Sequence, residues 1–541
     1  MKSRIARTMI VAMTLMATFA LPYRSPKAAA NWKVFSIPMI GLVGASNNIA
    51  FAYDRFAIVA PFAPTKSTDQ INDLSDLDNF TLYVADTKRP NDQIWVRSLE
   101  SAALNGNPGK RVYYPSRVQF DAASSTVYVR GTRFEKVEDG YEPIEVMAYT
   151  HISLDVKGKP VFDSDVIVID IKGIGDAPHS TNAPLDFALG HDGNYLVFTN
   201  GASFFSYNTQ QGYINQIDIV PAKEAGPDSQ ISYLDLDQAT GTVIVGWDRR
   251  QEGAGGGVKN FSELSFYSLS DKGILELKKR VYADQFPDGS FFINGSNVAL
   301  ASHAAYFVTS DGSVCQVDLD TDGITATVRQ LYKFDELAAD REDASPRIIQ
   351  YNPAIRVIGV ARQGFTAQIR RPSNGKRGIV RSLGLVTSVD APGVALVKLG
   401  KKNKVTAGYF ADGFNGADGI SSFITGNNNE WLLSTRGGDL LSLDGADDPA
   451  QARLEWQTQL GMNTDRVVYF AERDSVIAVV SCETNETGES VVKPGSLVVA
   501  KRVDLTSQVG GTGVAYGATR RGAAKPGPAP AIRRPCNIKG L

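Results

Sequence analysis

Residues 185–201 have the sequence Leu-Asp-Phe-Ala-Leu-Gly-His-Asp-Gly-Asn-Tyr-Leu-Val-Phe-Thr-Asn-Gly, and this pattern predicts the fold of the whole chain. A short apolar run is followed by a polar turn at 191–193 and then by a second run rich in aromatic and β-branched residues. The same order recurs eight times, roughly sixty residues apart, with clear copies at Ile231–Trp247, Ser421–Thr435 and Arg466–Val480. Strand units that repeat at such a period are typical of a β-propeller.

Each unit contains two further strand-like segments, such as Ser203–Tyr207 and Tyr213–Val220 in the third unit. Four short strands divided by Gly, Asp and Asn turns predict one antiparallel blade. The units are placed at 47–100, 116–170, 184–220, 230–283, 297–333, 347–409, 420–460 and 466–505. The sequence therefore predicts an all-β propeller of seven or eight four-stranded antiparallel blades. An array of two-sheet sandwiches is the alternative architecture.

The last unit has only three strands of its own. The apolar segment Trp32–Met39 is left over near the start of the chain, and we expect it to supply the missing strand. A ring that is closed by strands from both ends of the chain has no exposed blade edge at the junction.

Three stretches carry a resemblance to a known group of propellers: Asp192–Gly201, Tyr306–Gly312 and Trp431–Gly438. Each contains an apolar or tyrosine-bearing strand next to an Asp-Gly or glycine turn. In this respect the chain resembles the YVTN-type and lactonase-like β-propeller superfamily. The resemblance spans most of residues 40–505 and implies the propeller fold. For lactonase-type members it also implies a hydrolytic site at the centre of the ring.

The first thirty residues are predicted to be a signal peptide. Lys2, Arg4 and Arg7 precede the apolar stretch Met9–Leu21, and Ala28–Ala30 supplies the small residues that a signal peptidase recognises. The alternative is an uncleaved membrane anchor, but the apolar stretch is short for a span. We therefore expect a secreted or periplasmic protein without a transmembrane segment after cleavage.

The expected organisation is a signal peptide at 1–30, a β-propeller domain at 31–505 and a disordered tail at 506–541. The tail is rich in Pro, Gly and Ala and cannot bury a core. Residues 505–541 carry six cations and no acid, whereas the whole chain has a formal net charge of −2. The propeller body is therefore acidic, which argues against nucleic acid as a partner.

One block inside the acidic body has the opposite charge. Between Arg362 and Lys404 there are ten cations and one acid, Asp390. The block is either a set of solvated loops or a docking patch for a protein or for an anionic polysaccharide or envelope surface. Under the second interpretation the predicted partner-binding residues are Arg370, Arg371, Lys376, Arg377, Lys401, Lys402 and Lys404. We expect the loop-tip group at 370–377 and the lysine group at 401–404 to face one side.

A second candidate site is the loop that begins at Asp318. Asp318, Asp320 and Asp322 alternate before Gly323, which is how a calcium loop gathers oxygen ligands. The position at which a calcium loop places a bidentate glutamate is Arg329. The loop is therefore either a calcium site or an ordinary Asp-Gly hairpin turn. No other cofactor is expected.

No catalytic constellation is evident among the four histidines, His151, His179, His191 and His303. The first hypothesis is therefore a non-enzymatic scaffold that binds a protein or an anionic glycan. The alternative is a hydrolase of the lactonase type with a metal site in the central channel, to which His179 would contribute. Cys315 is expected to be a buried small hydrophobe, and Cys482 and Cys536 are candidates for a disulfide.

Overall fold

A computed structural model gives the fold of the chain. The residues that it describes are 31–38, 49–60, 81–89, 94–103, 109–138, 140–170, 187–190, 195–199, 204–208, 213–217, 230–237, 240–252, 258–287, 290, 292, 296–338, 347–368, 386–390, 392–400, 405–410, 419–426, 430–444, 447–461, 464–470, 474–480 and 496–503.

The described strands form eight consecutive antiparallel sheets, seven with four strands and one with five, and we number them as blades 1 to 8. Blade 1 contains β2 (Ile49–Ala52), β3 (Phe56–Val59), β4 (Thr81–Asp86) and β5 (Ile94–Ser98), and blade 2 contains β6 (Tyr113–Asp121), β7 (Thr126–Val137), β8 (Gly140–Leu154), β9 (Pro160–Phe162) and β10 (Ile167–Asp170). Blade 3 contains β11 (Phe187–Gly190), β12 (Tyr195–Thr199), β13 (Phe204–Asn208) and β14 (Tyr213–Ile217). Blade 4 contains β15 (Gln230–Asp237), β16 (Thr242–Glu252), β17 (Val258–Leu269) and β18 (Leu275–Val281).

Blades 5 to 8 complete the ring. Blade 5 contains β19 (Ala299–Ala301), β20 (Ala304–Val308), β21 (Ser313–Asp318) and β22 (Val328–Lys333), and blade 6 contains β23 (Arg347–Asn352), β24 (Val357–Arg362), β27 (Gly393–Leu399) and β28 (Val405–Phe410). Blade 7 contains β29 (Ile420–Thr425), β30 (Trp431–Thr435), β31 (Asp439–Asp444) and β32 (Arg453–Gln459). Blade 8 contains β33 (Thr464–Phe470), β34 (Ser475–Val480), β35 (Ser496–Val503) and β1 (Asn31–Pro38). Two strands, β25 (Phe365–Gln368) and β26 (Val386–Asp390), form a separate hairpin between β24 and β27. Short 3₁₀ turns lie at Ala283–Gln285 and Asp335–Leu337.

The eighth blade closes the ring with strands from both ends of the described chain. Strand β1 pairs with β35 in antiparallel register, from Asn31 opposite Val503 to Pro38 opposite Ser496. The prediction that the leftover segment near residue 32 supplies the fourth strand is confirmed. The predicted all-β propeller with a closed ring is confirmed as well.

Strands in the middle of a blade are apolar on both faces, because each blade packs between two neighbours. In β3, Phe56 and Ile58 contact blade 2, whereas Ala57 and Val59 contact blade 8. All four are fully buried. Burial of a side chain such as Phe or Ile stabilises the fold by about 1.5–3 kcal/mol, so these blade junctions form the hydrophobic core of the molecule.

The first strand of each blade lies nearest the centre of the ring. Contacts join β2 to β6, β6 to β11, β11 to β15, β19 to β23, β23 to β29 and β29 to β33, each pair in adjacent blades. Because consecutive strands of a blade are antiparallel, the connections from first to second and from third to fourth strand lie on one face of the ring. The other connections lie on the opposite face.

Candidate functional site

The two faces of the ring differ in the length of their connections. On one face, which we call the short-turn face, first and second strands are joined by tight turns such as 302–303 and 353–356. The opposite face, which we call the long-loop face, carries the segments 60–80, 363–392 and 481–495, each between the second and third strands of a blade. Binding residues concentrate on long loops that a rigid scaffold positions, so the long-loop face is the candidate functional site.

Three blades, the second, fourth and sixth, carry additional paired strand residues between their second and third strands. In blade 2, β7 and β8 pair from Thr126 opposite His151 to Val137 opposite Gly140. In blade 4, β16 and β17 pair from Thr242 opposite Ser268 out to Glu252 opposite Val258. Blade 6 carries the β25–β26 hairpin at the same position. Residues 253–257, which follow β16 and precede β17 in the chain, lie outside the described residues.

Ion pairs hold the base of the blade 2 hairpin. Arg133 on β7 donates to Asp170 on β10 with Nε–Oδ1 and Nη2–Oδ2 distances of 2.7 and 2.8 Å, and Lys110 Nζ lies 3.0 Å from Asp170 Oδ2. The hydrogen bond from Arg133, opposed by partial burial and aided by Lys110, holds the pKa of Asp170 below its ordinary value. Deeper in the same hairpin, Arg130 is fully buried and its Nη2 lies 3.0 Å from Glu145 Oε2. The Arg133–Asp170 pair therefore ties the hairpin to β10, and the Arg130–Glu145 pair joins the two strands of the hairpin to each other.

The tip of the blade 2 hairpin is exposed and mainly acidic. Glu135, Lys136, Val137 and Glu138 are all exposed. The polar side chains of the tip are therefore available to a partner at the long-loop face. This projection was not predicted from the sequence, although two long strand-like runs, Thr126–Val137 and Gly140–Leu154, stand there with only two residues between them.

The seven predicted partner-binding residues, 370, 371, 376, 377, 401, 402 and 404, all lie outside the described residues. The strands that flank them are described. The described strand ends that border Arg370–Arg377, in β25 and β26, are on the long-loop face, and those that border Lys401–Lys404, in β27 and β28, are on the short-turn face. The expectation that the two groups share one side stays a prediction about residues outside the described ranges.

Two other cations of the basic block are described, and both make contacts within the ring. Arg362 donates through Nη1 to the carbonyl oxygen of Glu336 in the connection that follows blade 5, and through Nη2 to Tyr409 Oη at 3.3 Å. Lys398 donates to the carbonyl oxygen of Asp447 in blade 7. These contacts support the packing of neighbouring blades, so neither residue is assigned to the patch.

The candidate calcium loop connects β21 to β22 on the short-turn face. Asp318, Asp320 and Asp322 are exposed, and the backbone N–H of Asp320 donates to Asp318 Oδ1 at 3.0 Å. His303 Nδ1 lies 2.5 Å from Asp320 Oδ2. The carbonyl oxygens of this loop accept hydrogen bonds from Lys279 of blade 4. Within the described ranges, no three His, Cys, Asp or Glu side chains come close enough together to hold a metal ion.

The remaining candidate residues are distributed without a common centre. His151 lies in blade 2, where its Nδ1 is 2.9 Å from Thr126 Oγ1, and His179 and His191 lie outside the described residues. Cys315 is fully buried, as predicted, and burial raises the pKa of its thiol to about 12. Cys482 and Cys536 lie outside the described residues. The described part of the chain also contains no helix with the length and apolar character needed to span a bilayer.

Comparisons with known proteins give likenesses in structure alone. No family model matches the sequence, and no curated protein matches it. The chain is similar to the Dos1 propeller, with a TM-score of 0.44 and 11% identity over 86% of this chain and 95% of that one. It is also similar to Kluyveromyces lactis Hsv2p (TM-score 0.34, 10% identity, 68% and 93% covered) and to YCF48 bound to D1 peptide (TM-score 0.36, 10% identity, 88% and 100% covered). Likenesses this distant assign the chain to no family, and the propeller architecture rests on its own sheets.

Proposed function

We propose that this protein is an exported, non-catalytic scaffold that binds a protein or an anionic glycan on its long-loop face. The observation that carries the proposal is the asymmetry of the ring. The connections 60–80, 363–392 and 481–495 all lie on one face, as do the extended hairpins of blades 2 and 4. A rigid ring that concentrates its long loops on one face is suited to binding a large partner there.

Within this face, the proposed contact is the segment that follows β25. Arg370, Arg371, Lys376 and Arg377 flank the turn sequence Pro372–Gly375, which would hold four cations at one loop tip. The rest of the propeller body is strongly acidic, so these cations would create a local positive field that attracts a polyanion, whereas the acidic parts of the body would repel it. The partner class is therefore a uronic or phosphorylated polysaccharide, or an acidic protein surface.

Export is supported by the sequence of the first thirty residues. Strand β1 begins at Asn31, directly after the predicted cleavage site at Ala30. Cleavage at that site would leave the strand that closes the ring intact. Predicted cleavage and ring closure are thus compatible.

The test uses the mature chain and polygalacturonate as the anionic probe. Wild-type protein is expected to bind at low salt and to lose affinity as salt rises past physiological strength, where the screening length is about 8 Å. The variant R371E/K376E should bind much more weakly, with an unchanged melting temperature because exposed loop charges contribute little to stability.

The matched control is K401E/K402E, which reverses two charges at the other end of β27. It should bind as wild type does. If both double variants bind equally well, or if wild type fails to bind polygalacturonate, phosphorylated glycan and acidic protein at low salt, the proposed binding site is wrong.

A further inference from the structure

The candidate calcium loop on blade 5 already holds a cation that belongs to the protein itself. Lys279 lies on β18 of blade 4, and only 1% of its surface is exposed. Its Nζ donates to the carbonyl oxygens of Thr321 and Gly323, the latter at 2.7 Å, and lies 3.4 Å from that of Asp322. Three successive backbone carbonyls of the loop are therefore directed at one buried ammonium group.

Backbone hydrogen bonds fix the same loop to the same strand. The N–H of Arg280 donates to the carbonyl of Ile324 at 2.8 Å, and the N–H of Ala326 donates to the carbonyl of Arg280 at 3.0 Å. Thr325 and Arg280 form a parallel β-bridge. The loop thus crosses the blade junction and extends the sheet of the neighbouring blade.

Two of the three carboxylates of the loop have partners other than Lys279 in the described contacts. Asp318 accepts from the backbone of the loop, and Asp320 pairs with His303 at the surface. A hard cation such as calcium needs six to eight oxygen ligands, and it commonly combines carboxylates with carbonyls of one loop. Here the Lys279 ammonium group occupies the position that the three loop carbonyl oxygens face, and a calcium ion bound by those oxygens would need the same position.

We infer that Lys279 is the resident cation of the Asp318–Gly323 loop and that it locks blade 5 onto blade 4 in place of a metal ion. Similar contacts occur at two other junctions. Arg55 of blade 1 donates to the carbonyl of Gly158 in blade 2 at 3.2 Å, and Lys398 of blade 6 donates to that of Asp447 in blade 7. In all three cases a cation holds the connection between the third and fourth strands of the next blade.

The experiment compares hydrogen exchange of the segment 319–326 in wild type, K279M and K278M. Methionine keeps most of the apolar stem of Lys279 and removes its ammonium group. A hydrogen bond from a charged group contributes enough that its loss should speed exchange of the segment by about tenfold or more. Lys278 is exposed and pairs with Glu276 on the same strand, so K278M should exchange as wild type does. Equal exchange in K279M and wild type would overturn the inference.

A second measurement needs no variant and therefore does not depend on whether K279M folds. Wild-type protein is expected to melt at the same temperature in excess calcium and in chelator, because the Lys279 ammonium group already occupies the position that the loop carbonyl oxygens face. A calcium-dependent rise in melting temperature that is abolished by Asp320→Ala would show that a metal ion, and not Lys279, holds the loop. Neither measurement depends on the proposed binding function of the opposite face.

Discussion

At the scale of single residues, Gly359 shows how closely neighbouring blades approach. It lies on β24 of blade 6, and a Cβ placed there would come within 2.6 Å of the Phe423 ring and 3.1 Å of the Trp431 ring in blade 7. Those two rings are stacked with centroids 4.7 Å apart, and Trp431 is fully buried. No side chain fits between the strand and the rings.

We therefore expect Gly359→Ala to destabilise the fold by about 1–3 kcal/mol, because an added methyl group overpacks the junction. Urea unfolding of the variant measures the change. The control is a double-mutant cycle with Phe423→Leu, which removes the clashing ring atoms. The cost of Gly359→Ala should fall clearly when it is combined with Phe423→Leu, and a cost that is equal with and without that second substitution would place the strain elsewhere.

A second residue-scale prediction concerns the Asp170 carboxylate, which Arg133 and Lys110 contact. Its pKa is lower in the native state than in the unfolded state, so its stabilising contribution is present above the unfolded value of about 3.9. That contribution is lost as pH falls through the lower native pKa. The stability difference between wild type and Asp170→Asn should therefore be constant above about pH 5 and shrink in more acidic solution.

Unfolding free energies of the two proteins at a series of pH values measure this difference. As a comparison, Asp155→Asn changes a carboxylate whose pKa is lowered mainly by hydrogen bonds from the backbone N–H groups of Lys159 and Lys157, so its stability difference should also shrink toward low pH. A stability difference for Asp170→Asn that grows toward low pH would contradict the assignment.

Some properties of single residues follow from the sequence and others do not. Burial of Cys315 was predictable, because the residue lies in an apolar strand segment. The role of Lys279 was not, because its carbonyl partners are about forty residues away and belong to another blade. The motif at Asp318–Gly323 indicates a loop that attracts a cation, but sequence spacing does not show which cation is already there.

At the scale of elements, the N-terminal strand is the closure of the ring. Ile37 on β1 is 3% exposed and packs with Ile49 of blade 1 and with Ile477 and Leu497 of blade 8. Val34, on the same strand, is 38% exposed. Substitutions at the two residues therefore distinguish the contribution that core packing makes to stability from the contribution of strand formation alone.

Ile37→Ala should lower the free energy of unfolding by about 2–5 kcal/mol, because it leaves a cavity at the junction of blades 8 and 1. Val34→Ala should change it by no more than about 0.5 kcal/mol, as expected for a surface position. Thermal and urea unfolding of the mature chain compare the two variants. Equal effects would mean that β1 does not contribute to the core of the closed ring.

The strands themselves were largely predictable, whereas the differences between blades were not. The alternation of apolar runs and turns located the strands of each unit, and the leftover segment near residue 32 identified the closing strand. The same pattern does not show how far a hairpin projects beyond its blade, and β7–β8 was missed for that reason. In blade 6, sequence spacing also did not show that the strand ends bordering 370–377 and those bordering 401–404 are on different faces of the ring.

At the scale of the whole molecule, the two faces of the ring carry different kinds of residues. On the short-turn face, tight turns and cations such as Arg55 and Lys279 fix neighbouring blades together. On the long-loop face, the hairpin of blade 2 carries exposed acidic residues, and the insertion in blade 6 carries the cations at 370–377. Blades 2 and 6 are four apart in a ring of eight, so the two charged elements arise on opposite sides of the ring.

Hydrogen exchange on the mature protein, with and without bound polygalacturonate, tests the proposed binding face most directly. Within blade 6 the predicted footprint is slower exchange in the segment 365–390, with unchanged exchange in 353–356 and in 400–404, which lie on the other face. Protection of 400–404 without protection of 365–390 would contradict the claim that the long-loop face binds the partner.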